Sequence, residues 1–313
     1  MKSIRSILHI SAVAVLLLLF SARSSAQSKD GVERTVRTND GWQIHITYYE
    51  AKGGKDSAVI ILIPGAEGPK DNKSRTRKVW DGVASTLHRK GFAVVTADLR
   101  KHGDSVPVTE SPNPMLTKIG PADYQLMAVQ DLEAIKKFLV EEHQKEKLNI
   151  RKLGIAAAGS SCMVVSAFTL NDWMKKPWPD APTLALRTPK GQDVRAVLML
   201  SPKSPVRGLN TNQIIRGMAK PEMGIAINVY YNPTDRIEKK AADTIAKMIK
   251  VRNSDDEDAR KIIEGPPDKK FTAEGFLQDK AKTVMEKNIS EFFDKYVKQR
   301  EDPWKSRTSR LQQ

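Results

Sequence analysis

The chain has a single cysteine, Cys162. It therefore has no intramolecular disulfide framework and no cysteine-cluster metal site, and its stability must come from an ordinary core. Long apolar runs are as scarce. The one uninterrupted run at the N-terminus, Ala12 to Phe20, is too short to span a bilayer comfortably. No internal repeat, dinucleotide-binding glycine fingerprint or metal-ligating constellation stands out, so no cofactor and no metal are expected. Acidic residues are in deficit: 37 against 52 lysines and arginines, a formal charge of +15.

What is present begins with a leader. Lys2 and Arg5 precede the apolar run, and Ser21-Ala22-Arg23-Ser24-Ser25-Ala26 follows it. A basic start, an apolar middle and small residues at the end describe a signal peptide over residues 1–26, with Ser24-x-Ala26 as the cleavage site. That segment holds three positive charges and no acid, so the mature chain carries +12. Export to the periplasm, envelope or medium is expected, with no transmembrane segment once the signal is removed. The charge favours anionic partners, small or polymeric. Export argues against nucleic acid among them.

The 313 residues allow one large α/β domain or two small ones. Asn39-Asp40-Gly41 between Val32–Thr38 and Trp42–Glu50 predicts an N-terminal antiparallel hairpin. Continuously apolar runs at 58–63, 92–97, 153–158, 194–200 and 224–231 predict strands covered on both faces. Between them lie helical patterns at 79–89, from Pro121 through Leu126, Val129, Leu132, Ile135 and Leu139, at 237–251 (Ile237, Ala241, Ile245 and Ile249 or Met248 inward) and at 280–298 (Val284, Ile289, Phe292 and Tyr296 inward). Lys136 falls on an outer face and His143 at a solvated charged end. Residues 171–192 read as irregular loop, 253–275 as charged and proline-broken. The expected architecture is a doubly wound, mostly parallel sheet with helices on both faces over 27–298, no large cap domain, and a frayed polar tail over 299–313.

One stretch organises the rest. Lys152 to Phe168 reads KLGIAAAGSSCMVVSAF, a buried strand turning sharply into a helix through Gly159-Ser160-Ser161-Cys162. Asp98-x-Arg100-x-His102-Gly103-x-Ser105 follows another strand, and Gln130-Asp131-Leu132-Glu133-Ala134-Ile135 opens the preceding helix. In this order these features resemble the α/β-hydrolase superfamily over nearly all of the mature chain.

The resemblance implies a nucleophile at the turn, then an acid, then a histidine. Aligning Lys152-Leu153-Gly154-Ile155 with the family's strand puts the nucleophile position on Gly159, which has no side chain. One residue later, Ser160 has small neighbours on both sides, whereas Met163 disfavours Ser161. Ser160 is the candidate nucleophile. Asp235 matches the acid, although Asp235-x-x-Glu238 reads equally as a helix capping box. The oxyanion amides would be those of Ala66 and Ser161. The histidine is missing: His9, His45, His88, His102 and His143 all precede the turn, and the loop before the last helix offers Lys269 and Lys270 instead. Without a base a serine hydroxyl is a weak nucleophile.

Around the mouth of the sheet the chain is basic, and Lys73, Arg75, Arg77, Arg100 and Lys101 are candidate ligands for a sulfated or carboxylated anion. A solvated charged surface is the plainer explanation of the same residues. Three readings follow: an exported hydrolase-fold protein with an impaired or absent triad that binds an anion in the cleft; a serine esterase using Ser160 with a relocated base; and an envelope protein whose basic surface docks acidic polymer.

Overall fold

The computed structural model describes residues 31–67, 76–107, 114–249, 259–268, 271–279 and 281–312. The expected signal peptide, Lys73, Arg75, Lys269 and Lys270 lie outside the described residues. Within the described residues eight strands form one sheet: β1 (Val32–Arg37), β2 (Gln43–Tyr49), β3 (Val59–Ile63), β4 (Ala93–Ala97), β5 (Leu153–Ala158), β6 (Val194–Leu200), β7 (Ala226–Tyr231) and β8 (Arg260–Glu264). Their order is β1-β2-β4-β3-β5-β6-β7-β8. β2 runs antiparallel to β1 and β4, and every other pairing is parallel.

The β1–β2 turn closes as its sequence predicts. Gly41 takes φ +88, and the Trp42 amide donates to Thr38 Oγ1 at 2.8 Å. Strands β3, β4, β5 and β7 are buried at every position because helices cover both faces of the sheet. Side chains alternate between two cores. Val59, Ile61 and Ile63 of β3 meet one, which includes Leu132, Val165 and Phe168, while Ile60 and Leu62 meet the other, with Trp80, Leu87 and Phe293.

Among the described residues eight α-helices flank the sheet: α1 (Asp81–Arg89), α2 (Pro114–Thr117), α3 (Pro121–Leu126), α4 (Leu132–Gln144), α5 (Ser161–Met174), α6 (Thr211–Met218), α7 (Arg236–Ile249) and, after the last strand, α8 (Ala281–Phe293). No described helix is long and apolar enough to cross a membrane.

Several expectations are corrected. A π-turn at Met127–Asp131 joins α3 to α4 and inserts a residue into the helical register. Val129, expected inward, is thereby exposed. Ile237 and Val284 also face solvent, each within the first turn of its helix. Residues 260–264 form an edge strand where irregular chain was expected.

Lys136 is buried, held by Asp172 and by Asp193 at 2.6 Å. His143 is also buried, because the C-terminal tail is docked rather than frayed. Trp304 stacks on its ring at 4.8 Å, and its Nε2 lies 2.9 Å from the Lys305 carbonyl. Asn149 donates to Asp302 O at 2.8 Å, and Arg307 pairs with buried Asp193.

Candidate functional site

The carboxyl ends of the parallel strands bring together the loops in which an open α/β sheet binds its ligands. β5 is apolar and closed on both sides, so the chain must turn abruptly to enter α5. It does so at Gly159, with φ +54, a region disfavoured for residues that carry Cβ. The Gly159 amide donates to Leu200 O at 2.9 Å and its carbonyl accepts from Lys203 N at 3.2 Å. Ser160 follows as the N-cap of α5 with helical dihedrals and is 5% exposed. The apex of the turn is therefore Gly159, not Ser160.

The space above the apex is filled. A Cβ built on Gly159 would lie 1.9 Å from Glu67 Oε1, an overlap. Glu67 follows β3, and its Oε1 accepts the Ser160 amide at 2.8 Å and lies 3.3 Å from Ser160 Oγ. Half-exposed Lys203 approaches the same oxygen at 3.3 Å. Glu274 enters from the loop after β8 and accepts the Gly65 amide at 2.5 Å. The two carboxylates converge over Gly65, where an added Cβ would meet Glu67 Oε2 at 2.2 Å and Glu274 Oε1 at 2.9 Å. Tyr124 donates to Ala66 O at 2.9 Å and its hydroxyl also contacts Ser160; burial raises its pKa.

No family model matches the sequence, and no curated protein matches it significantly. Solved structures do. A dienelactone hydrolase from Anabaena variabilis superposes with a TM-score of 0.55 at 13% identity, over 85% of this chain and 98% of that one. An esterase from Pyrococcus furiosus gives 0.56 at 13% identity, over 86% and 91%. An esterase from Exiguobacterium antarcticum gives 0.51 at 11% identity, over 83% and 99%. The chain has the α/β-hydrolase fold.

In a hydrolase elbow the amide after the nucleophile helps to bind the oxyanion. With Gly159 at the apex that amide is Ser160's, and Glu67 occupies it. The Ser161 amide expected for this role is one residue too far along. Ser161 is fully buried and its hydroxyl donates to Pro64 O at 2.6 Å, tying the elbow to the β3 loop. Ala66 is buried beside them. Cys162, behind the elbow, is an inert thiol: burial and then the Glu67 carboxylate raise its pKa well above the usual value.

Asp235 lies after β7, where the acid is expected, but its carboxylate is spent on a helix end. It accepts from Ile237 N at 2.8 Å and Glu238 N at 3.1 Å, as a cap does. The capping-box reading of Asp235-x-x-Glu238 holds in altered form, because Glu238 reaches back to Asn232 N at 2.8 Å.

His102 is also engaged in architecture. Nδ1 lies 2.9 Å from Arg100 O and Nε2 3.4 Å from Glu67 O, and burial holds its pKa below the usual range. Among the described residues no imidazole is hydrogen-bonded to Ser160 or Asp235, and no cluster of three or more His, Cys, Asp or Glu side chains is placed to hold a metal.

Of the basic candidates, three turn inward. Arg77 is buried and paired with Asp98 at 2.5 Å, Asp104 at 2.6 Å and Glu33 at 2.9 Å. Arg100 is buried against Asp131 at 2.7 Å and Asp40 at 2.8 Å, and burial, opposed by Arg100, pushes the Asp131 carboxyl up to about 6. Lys101 donates to Lys118 O at 3.0 Å and Asp123 at 2.9 Å. These side chains brace the loops instead of facing a ligand. A buried cation without a carboxylate would be too costly to keep there. Sequence reading missed Glu67 and Glu274, because a loop glutamate is by default a solvated one.

Proposed function

We propose that this chain is an exported, non-catalytic protein of the α/β-hydrolase fold. On this reading its elbow keeps the acyl-transfer turn but has neither a nucleophile at the apex nor a base. The observation that carries the reading is the position of Glu67. Its carboxylate sits on the Ser160 amide at 2.8 Å and overlaps the place of an apex side chain. An oxyanion forming there would meet a fixed negative charge where catalysis needs an empty, positively polarised hole. The anion of the cleft is thus the chain's own, and the elbow acts as a clasp between the β3 loop and α5. The leader pattern supports export, and the mature protein begins at Gln27 in this account, which the N-terminal peptide mass of the exported form checks.

Turnover of p-nitrophenyl acetate tests the reading. The wild type and Ser160→Ala are expected to release nitrophenolate at the same rate, close to that of buffer. Enzymic turnover in the wild type that vanishes in Ser160→Ala would overturn it.

One observation favours a second reading, an active hydrolase. Ser160 Oγ lies 3.3 Å from Glu67 Oε1, near enough for a carboxylate to take the hydroxyl proton after a small shift. Against it, Ser160 is the buried N-cap of α5 and does not occupy the left-handed apex. The same measurement separates the two.

A further inference from the structure

At the opposite end of the sheet from the elbow, the segment 175–192, the starts of β5 and β6, and the C-terminal tail enclose a basin of about 360 Å³. Strands of this length place it on the order of 20 Å from Gly159. Seven of its thirteen lining residues are lysine or arginine and none is acidic. Its size falls in the range of small-molecule sites, on the order of 300–1,000 Å³.

The lining cations are only partly neutralised: Lys175 pairs with Glu133 at 2.6 Å and Arg307 with Asp193, but three have no such partner. Among the described residues, Arg187, Lys190 and Lys305 have no carboxylate partner. Arg187 Nε donates to Ala181 O at 2.9 Å, and Lys305 Nζ to Ala185 O at 3.0 Å. Lys190 Nζ sits 3.5 Å from the centre of the Trp178 ring. Arg151 and Arg195 share a single carboxylate, Asp302, at 3.5 and 3.1 Å. Arg307 is buried, pairs with Asp193 and donates to Pro189 O at 2.9 Å, and so forms part of the wall. Burial, opposed by the Asp302 carboxylate, pulls the Arg195 pKa below its usual value. Carbonyls orient Arg187 and Lys305 without cancelling their charge, so a positive potential collects in a concave space.

We propose that this basin binds a small, multiply charged phosphate or sulfate ester, received by Arg187, Lys190 and Lys305. Guanidinium groups suit the planar, two-point contact that such oxyanions offer. The proposal is independent of the elbow, since none of these residues touches Glu67 or Ser160.

Pyrophosphate is the probe. Titration calorimetry of the full chain is expected to show saturable binding that weakens as salt rises. Arg187→Glu/Lys305→Glu should lose roughly tenfold or more in affinity, about 1.4 kcal/mol. Lys190→Glu, whose ammonium contacts only the Trp178 ring, guards against a folding defect in the double variant and should lose roughly threefold. Lys239→Glu/Lys240→Glu, the same charge change on the exposed face of α7, should bind as the wild type does. No pyrophosphate binding by the wild type would overturn the proposal. So would equal losses in the α7 and basin variants.

Discussion

At the scale of single residues, the site turns on Gly159 and Glu67, which exclude any third occupant. Giving the apex a side chain, Gly159→Ser, should destabilise the protein by several kcal/mol. A left-handed φ costs a non-glycine residue about 1–2 kcal/mol, and the new Cβ would overlap Glu67 as well. Truncating the carboxylate, Glu67→Ala, should cost about 1–3 kcal/mol by leaving the buried Ser160 amide without its acceptor. The two changes should not add. The double variant relieves the overlap, so denaturant melts of the four proteins should show it less damaged than the sum. Strict additivity would mean that Glu67 does not stand over the apex.

The sequence carried the small-residue turn but could not place its apex, because Gly159 and Ser160 both satisfy the pattern. Only the backbone dihedral separates them. Glu67 was illegible for another reason: nothing local to residues 64–68 says that α5, far along the chain, will present an amide to it.

His143 supplies a prediction with a definite sign. Burial lowers its pKa, so the folded protein resists a proton that the unfolded chain accepts below about 6.5. Its contribution to stability is therefore complete above about pH 6.5 and is lost as pH falls toward the depressed folded value. The stability advantage of the wild type over His143→Asn should shrink between pH 7 and 5.5. An advantage that grew on acidification would contradict the burial.

At the scale of elements, what was legible follows from periodicity. Apolar runs announced five of the buried strands within a residue or two, since a strand covered on both faces leaves no room for polar positions. β8 was hidden by its place at the edge: Arg260, Lys261 and Glu264 leave only Ile262 and Ile263 as an apolar signal. The π-turn before α4 was hidden because one inserted residue does not change composition, only which face Val129 meets.

The tail misled for the same reason that surface segments usually do: it is polar. It is held by particular contacts instead of an apolar stripe. Trp304 stacks on His143 at 4.8 Å and donates to the His143 carbonyl at 3.0 Å. Trp304→Ala should cost about 1–2 kcal/mol, less than a fully buried tryptophan, and should expose 303–312 to protease. An unchanged melt with an unchanged cleavage pattern would show the tail to be unattached.

At the scale of the whole molecule, the two ends of one sheet differ in how their charges are paired. The end that carries chemistry in hydrolases is here locked by internal pairs: Glu67 on an amide, Arg77 and Arg100 on buried aspartates. The other end holds Arg187, Lys190 and Lys305, which have no carboxylate partner among the described residues. Net charge alone did not distinguish them, because +15 reports how many cations there are and not which have partners. That distribution needed the fold.

The most direct test of the central claim is intact-mass spectrometry after exposure of the wild type to a fluorophosphonate probe, which labels only an activated serine. The account predicts a mass unchanged from the untreated protein. A single stoichiometric adduct mapped to Ser160, and absent from Ser160→Ala, would show that the elbow still activates a nucleophile and that Glu67 serves chemistry instead of closing the site.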